Sequence, residues 1–453
     1  MPAPAQPVAP PSRNDPLVAT ASEVVGGPVG HYAATGPGHG RPWPWVASLL
    51  AGLSSFVVAL GVAQKAHCLK VGWNSPDQFW HACYSDLPVT WQSSGLSRGI
   101  APYLGAAGER VLDQPVVSGL AMWLVGLAVP DGGVRAQQQW YLGLWAGVIA
   151  LLVAVLVWVT AASVRRTPWN AAHVAFSPLL VLVALVSTDL LGVALASVAL
   201  LAWSRRHVPA AGVLLGLAVA TRSYALVLLL AIGLLALRSG RLRSFATLAV
   251  TALATVLVMT LPWLLSGDGV LGAYRAWWSA AASYGSPWMV PALYGHPLPG
   301  GLVTTLAVLG WVAALVAGAV LALSPGRRPT VAEVALVMLA TVLVTGAALP
   351  PQASLWLLPL VALVGLRWRD HLIWVGVEAA SFVAVWLYIA GLTTPDRGLP
   401  GRTYAVFVLA RVVAILYLAV RVWLGAVRRG PVEVDELAGP MRGAPDRVLV
   451  RLD

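Results

Sequence analysis

Charge is scarce in this chain. Asp, Glu, Lys and Arg make up only 10% of its 453 residues, against about 25% in a soluble domain. Lysine is rarer still: Lys65 and Lys70 are the only two, and every other basic residue is arginine. Cysteine occurs twice, at Cys68 and Cys83. No metal-ligand spacing appears, and no Gly-rich nucleotide loop of the Walker type. The start of the chain lacks the basic-then-apolar pattern of a signal peptide. Hydrophobic residues are in excess instead, at 58%, with a mean hydropathy of +0.77. No water-soluble fold can hide that much apolar surface, so lipid must be the solvent for most of it. The net charge of +11 therefore does not point to nucleic acid. The arginines sit in short loops between apolar runs, where they orient helices across a bilayer.

The pattern predicts an all-α polytopic protein with about twelve transmembrane helices. A Pro/Ala/Gly-rich tail, residues 1–43, is expected to be disordered. A transmembrane domain follows over 44–427, and a polar, loose tail over 428–453. The spans are expected at 45–63, 140–162, 172–187, 190–203, 210–220, 224–237, 245–265, 301–323, 331–349, 354–366, 373–390 and 404–424. Two long polar loops fall between them, 65–139 and 266–300. With both tails in the cytoplasm, most arginines lie inside and both long loops outside, as the positive-inside rule requires. One apolar stretch, 115–129, would reverse every later loop if it crossed. It is therefore expected to lie along the membrane surface or dip into it. The fifth and sixth spans are short and should bend around Thr221-Arg222.

This topology gathers the polar residues on the outer face. The first loop brings Asp77, His81, Asp86 and Asp113, and two short turns bring Asp189 and Arg222. The second loop brings Tyr284 and His296, and Gln352 precedes the tenth span. Carboxylates, an arginine and aromatics at one interface suit an anionic substrate with a lipid tail. Each has a plainer reading. Asp189, after Thr188 and before an apolar run, reads first as a helix cap. Asp86 reads equally as a turn residue or an acid–base group. Arg222 interrupts an apolar stretch, and an intramembrane charge is functional by default. Cys68 and Cys83 share the outer loop, where a disulfide outranks two free thiols. Its closure would stabilise by about 3 kcal/mol.

At these residues the chain resembles the integral-membrane glycosyltransferases of the C superfamily, and among them glycosyltransferase family 87. These are the polyprenol-phosphate-mannose-dependent mannosyltransferases of actinobacterial envelopes. Cys83-Tyr84-Ser85-Asp86-Leu87-Pro88 is similar to the family's Cys-Tyr-Ser-Asp-Ile-Pro. Asp113 to Gly119 resembles Glu-Tyr-Pro-Val-Leu-Thr-Gly, with Asp113-Gln114 in place of Glu-Tyr. Thr188-Asp189-Leu190-Leu191 resembles Asn-Trp-Asp-Leu-Leu. Gly212 to Tyr224 resembles a Gly-rich helix that ends in a lysine motif, with Arg222 at the lysine position. Tyr284 to Trp288 and Pro351-Gln352 also match. The resemblance spans roughly 45–425.

The resemblance implies a GT-C-like fold and an active site on the extracytoplasmic face of the plasma membrane. The donor would be a polyprenyl-phosphate sugar, mannose by analogy, its phosphate held near Arg222. The acceptor would be an envelope glycolipid or lipoglycan. Asp86 would act as general base for inverting transfer, with Asp77, His81, Asp113, Asp189, Tyr284, His296 and Gln352 as further substrate contacts. The partners are the donor, the acceptor and the bilayer. No cofactor is expected, and a divalent metal stays open. Two other classes fit the composition: a lipid or solute transporter or flippase, and a non-catalytic scaffold of the same fold. A transporter should carry ionisable groups near the midplane, whereas here nearly all sit at span ends on one side.

Overall fold

The computed structural model of the protein describes residue 21 and residues 43–101, 114–266, 269–279, 281–428 and 435–449. Among them every regular element is helical. Six helices are long and apolar enough to cross a bilayer: α1 Trp43–Gln64, α6 Val134–Ser163, α11 Leu242–Ser266, α13 Gly300–Leu323, α16 Trp368–Thr393 and α17 Gly401–Arg428. Between α1 and α6 lie four short helices, α2 Ala66–Val71, α3 Asp77–Trp80, α4 Asp86–Ser93 and α5 Val116–Gly126. The remaining apolar helices are α7 Pro168–Val183, α8 Asp189–Ser204, α9 Val208–Val219, α10 Leu226–Arg238, α14 Val331–Thr345 and α15 Leu358–Val364. A short polar-faced helix, α12 Gly272–Ser279, lies in the second loop.

Against the expected twelve full spans, the described residues hold six helices long enough to cross and a set of shorter apolar ones. The reason is local. Ser177-Pro178 breaks α7, because proline removes a donor and clashes with the preceding turn. Even the 16-residue α8 extends only about 24 Å at 1.5 Å per residue, short of a hydrocarbon core about 30 Å thick. Helix α5, with 11 residues, is shorter again, at about 16 Å.

Burial explains the arrangement. Helix α14 is enclosed nearly all round, from Val331 to Ala340 without a gap. A capping box starts it: Thr330 Oγ1 accepts from the Glu333 amide, and the Glu333 carboxylate accepts from the Thr330 amide at 2.8 Å. Helix α11 lies at the periphery with only Leu248 and Ala252 buried, so its apolar surface faces lipid. Glycines let the helices close on one another. A Cβ on Gly212 would lie 1.7 Å from Thr251 Oγ1, and one on Gly216 would lie 2.5 Å from the Ala252 carbonyl oxygen. This four-residue spacing is how small residues pack α9 against α11 where no hydrophobic force distinguishes helix from lipid.

The C-terminal segment departs from expectation. Residues 435–449 pack across the ends of α6, α8, α10 and α13, and Leu437 and Met441 are buried there. Glu436 accepts the amides of Arg165 and Arg166 at 2.8 and 3.0 Å. Asp446 pairs with Arg238 at 2.8 Å and also holds Arg328. Composition pointed to a loose tail, but Glu436 and Asp446 meet the ends of α6, α10 and α13.

Candidate active site

The opposite end of the helices from this strap carries the functional residues. Helix α1 ends at Gln64, and the chain turns back through α2 and α3 to the motif Cys83–Pro88. A disulfide joins Cys68 to Cys83 with Cα atoms 5.8 Å apart. That fixes the approach to α4. Ser85 caps α4 by accepting from the Leu87 amide, and its own hydroxyl donates to the Leu185 carbonyl at 2.6 Å. The Asp86 amide donates to the Val186 carbonyl at 2.8 Å. The first loop is thereby stitched to the turn that starts α8, and Asp86 sits in the first turn of its own helix.

The Asp86 carboxylate is half-buried. Tyr84 donates to its Oδ1 at 2.7 Å. Burial pushes this carboxyl above the usual range. The Tyr84 hydroxyl, Arg222 and Lys65 draw it back down, and Asp189 adds to the rise. Lys65 is buried beneath this motif and donates to the Tyr84 carbonyl at 2.8 Å. Desolvation lowers its ammonium to about 7, against the pull of Asp86.

Asp189 opens α8, as a cap reading would have it, yet its side chain does more than end a helix. The carboxylate is 3% exposed. Ser187 donates to it at 2.6 Å and the Trp356 indole at 2.9 Å. Arg222 Nε stands 3.3 Å away on the same carboxylate. Trp356 fits because residue 192 is glycine: a Cβ there would lie 2.8 Å from the indole ring.

Arg222 lies in the bend between α9 and α10, as the short spans suggested. Its Nη2 donates to Gln114 at 3.1 Å. The segment after Gln114 is pinned to the same bend, since the Val117 amide donates to the Ala220 carbonyl and Ser118 donates to that of Thr221. Arg222 is thus held from two sides, its side chain 22% exposed. A small apolar recess lies between α8, α10, α14 and α15. Tyr224 and Trp356 line its polar end, and Val193, Leu228, Leu339 and Leu360 its walls.

The sequence candidates therefore divide. Asp86, Asp189 and Arg222 come together. Gln352 is buried in the turn Pro351–Trp356 that delivers Trp356. Tyr284 lies alongside, its carbonyl accepting from the Leu349 amide at 3.2 Å. His296 is exposed on the second loop. Asp77 and His81 pair with each other and with His67 rather than with Asp86. Asp113 lies outside the described residues.

Four contributors were missed: Lys65, Tyr84, Gln114 and Trp356. Lys65 had a signal, being one of two lysines and ending an apolar run. Arg411 had one too, as a charge inside the last span. It is 3% exposed, pairs with Glu378 at 2.8 Å, and donates to the Pro350 carbonyl and the Ser354 hydroxyl. It thereby holds the loop that carries Trp356.

Comparison with known proteins adds three findings. No curated protein matches the chain. ArnT from Cupriavidus metallidurans, in a crystal structure with undecaprenyl phosphate bound, is 15% identical over 74% of this chain and 73% of that one. Its TM-score of 0.37 is too low to transfer any residue. The family model for glycosyltransferase family 87 matches residues 127–346, a stretch that includes Asp189, Arg222 and Tyr284. Over that stretch, just under half of its length, the chain is similar to this family.

Proposed function

We propose that the protein transfers a sugar, mannose by family analogy, from a polyprenyl-phosphate donor to the hydroxyl of an envelope glycolipid or lipoglycan. The observation that carries this reading is Arg222, partly exposed and held on Asp189, whose other partner Trp356 lines an apolar recess. A guanidinium near apolar walls at the end of the helices suits a phosphate whose other substituent is a hydrocarbon chain. That chain would lie in the surrounding lipid. Gln114, now on Arg222 Nη2, would yield its place to a phosphate oxygen.

Asp86 acts as general base. Its carboxylate takes the proton of the acceptor hydroxyl while that oxygen attacks the anomeric carbon. The bond between the anomeric carbon and the donor phosphate oxygen breaks. The phosphate leaves with the electron pair, and Arg222 stabilises the charge it gains. Attack opposite the leaving group inverts the anomeric centre. Asp189 is unsuited to the base role, since Ser187, Trp356 and Arg222 already occupy its lone pairs. It positions Arg222. The same reading places both termini in the cytoplasm and the site on the outer face of the plasma membrane.

The experiment is transfer from a labelled polyprenyl-phosphate mannose in membranes that hold the wild type or Asp86→Asn. Asparagine keeps the shape but accepts no proton at neutral pH. Transfer should fall at least a hundredfold, with donor binding kept. Undiminished transfer by Asp86→Asn would remove the carboxylate from the mechanism.

A further inference from the structure

The first loop carries a second constellation that the transfer reaction does not use. His67, in α2, places Nε2 2.6 Å from Asp77 Oδ2. His81, just after α3, places Nδ1 3.3 Å from Asp77 Oδ1. The two imidazoles stack face to face with centroids 3.4 Å apart and planes at 11°. One donor atom from each residue lies within 4.8 Å of the others. These are two imidazoles and one carboxylate with ligand atoms close together, not a row of like charges.

Two features hold the cluster in this geometry. The Cys68–Cys83 disulfide covalently links the residue after His67 to a residue two past His81. On the other side, α3 packs against α16, where Phe79 stacks on Trp386 with centroids 5.8 Å apart. The three side chains are between a third and a half exposed, so a solvent ligand can reach them.

We propose that His67, Asp77 and His81 form a Zn²⁺ site on the extracytoplasmic loop. Two imidazoles and one carboxylate are a donor set that zinc takes when it keeps a fourth position for water or substrate. Bonds of about 2.0–2.2 Å in tetrahedral geometry put neighbouring donors roughly 3.3 Å apart, inside the range seen here. A cation would sit among the three donor atoms and replace the hydrogen bond between His67 and the Asp77 carboxylate and that between His81 Nδ1 and the Asp77 backbone carbonyl. Its open position faces solvent and takes water or an anionic oxygen ligand. The site ties α2 to α3 next to the disulfide, and does not depend on the assigned donor or on Asp86.

The test uses full-length, tag-free protein in detergent, stripped with a chelator and dialysed against Co²⁺ or Zn²⁺. Co²⁺ reports a tetrahedral nitrogen and oxygen site by its visible absorption, and metal analysis gives stoichiometry. The wild type should take up about one Zn²⁺ per chain, with Co²⁺ absorption that Zn²⁺ abolishes. His81→Gln retains a hydrogen-bond donor toward Asp77 but no imidazole. It should lose the stoichiometric metal while keeping its metal-free unfolding temperature. The double variant His67→Ala/His81→Ala should behave likewise. No uptake by the wild type, or equal uptake by the double variant, would overturn the proposal. Because no arm reads sugar transfer, failure here is separable from failure of the transferase reading.

Discussion

The contact between Arg222 and Asp189 predicts a separation between stability and donor binding that a double-mutant cycle can read. Arg222 has two duties: it neutralises a carboxylate 3% exposed, and on the reading above it binds the donor phosphate. Breaking a fully buried pair costs about 3–5 kcal/mol. Here Arg222 is partly exposed, a single Nε contact spans 3.3 Å, and Ser187 and Trp356 still solvate Asp189. The coupling should therefore be nearer 1–2 kcal/mol, as an approximate value between exposed and buried pairs. A charge-assisted hydrogen bond to phosphate is worth about 1.5–3 kcal/mol, or roughly ten- to 150-fold in Kd. Arg222→Ala should thus lose both, Asp189→Asn should lose stability with a smaller loss of affinity, and the double variant should recover part of the stability but none of the affinity. Thermal unfolding in detergent reads the first quantity. Titration with a polyprenyl phosphate reads the second, through the fluorescence of Trp356 and its neighbours. Donor affinity that is unchanged in Arg222→Ala, or restored in the double variant, would refute the assignment of Arg222 to phosphate.

The acid limb of transfer should lie at higher pH than for an ordinary carboxylate, because burial raises Asp86 and the base works only when deprotonated; Lys65→Met removes a charge that opposes the rise, so it should move the limb higher still. A limb that stays put in Lys65→Met would sever the electrostatic link between the two residues. Protein isolated without reductant should show no alkylation at Cys68 or Cys83, and Cys68→Ser should lower stability by about 3 kcal/mol for a loop of this size. Single-cysteine labelling in a cysteine-free background should report Gly132 outside and Thr167 in the cytoplasm, and the reverse at Thr167 would invert the assigned site face.

The sequence made the helices legible where they are long and apolar, since composition alone decides those. It also made the bend at Arg222 legible, because a charge interrupts the apolar stretch there; the 115–129 segment was expected not to cross, and its helix, Val116–Gly126, has only 11 residues. Asp189 and Arg222 were nameable because each is a rare polar residue at a span end, and Asp86 because it sits in the Cys83–Pro88 motif of the first loop. Their partners were not. Gln114 meets Arg222, and Trp356 meets Asp189, across more than a hundred positions of chain, and no periodicity encodes such pairs. Asp77 and His81 sat in the same loop as Asp86 and so were grouped with it. Only the fold shows that the disulfide turns them toward His67. The tail was misread for another reason: its arginine partners had been accounted for as topology signals, which hid their availability to Glu436 and Asp446.

The strap formed by residues 435–449 also orders events in time. A chain inserted from its N-terminus commits α6, α8, α10 and α13 to the bilayer before the strap has been synthesised. Until then Arg238, fully buried in the finished protein, has no Asp446 to neutralise it, and the amides of Arg165 and Arg166 lack the Glu436 carboxylate. The helical bundle is therefore unfinished until residues 435–449 have been made. These residues act as a completion check on a protein whose reactive groups lie at the far end of its helices, since a chain stopped before them leaves Arg238 without its Asp446 partner.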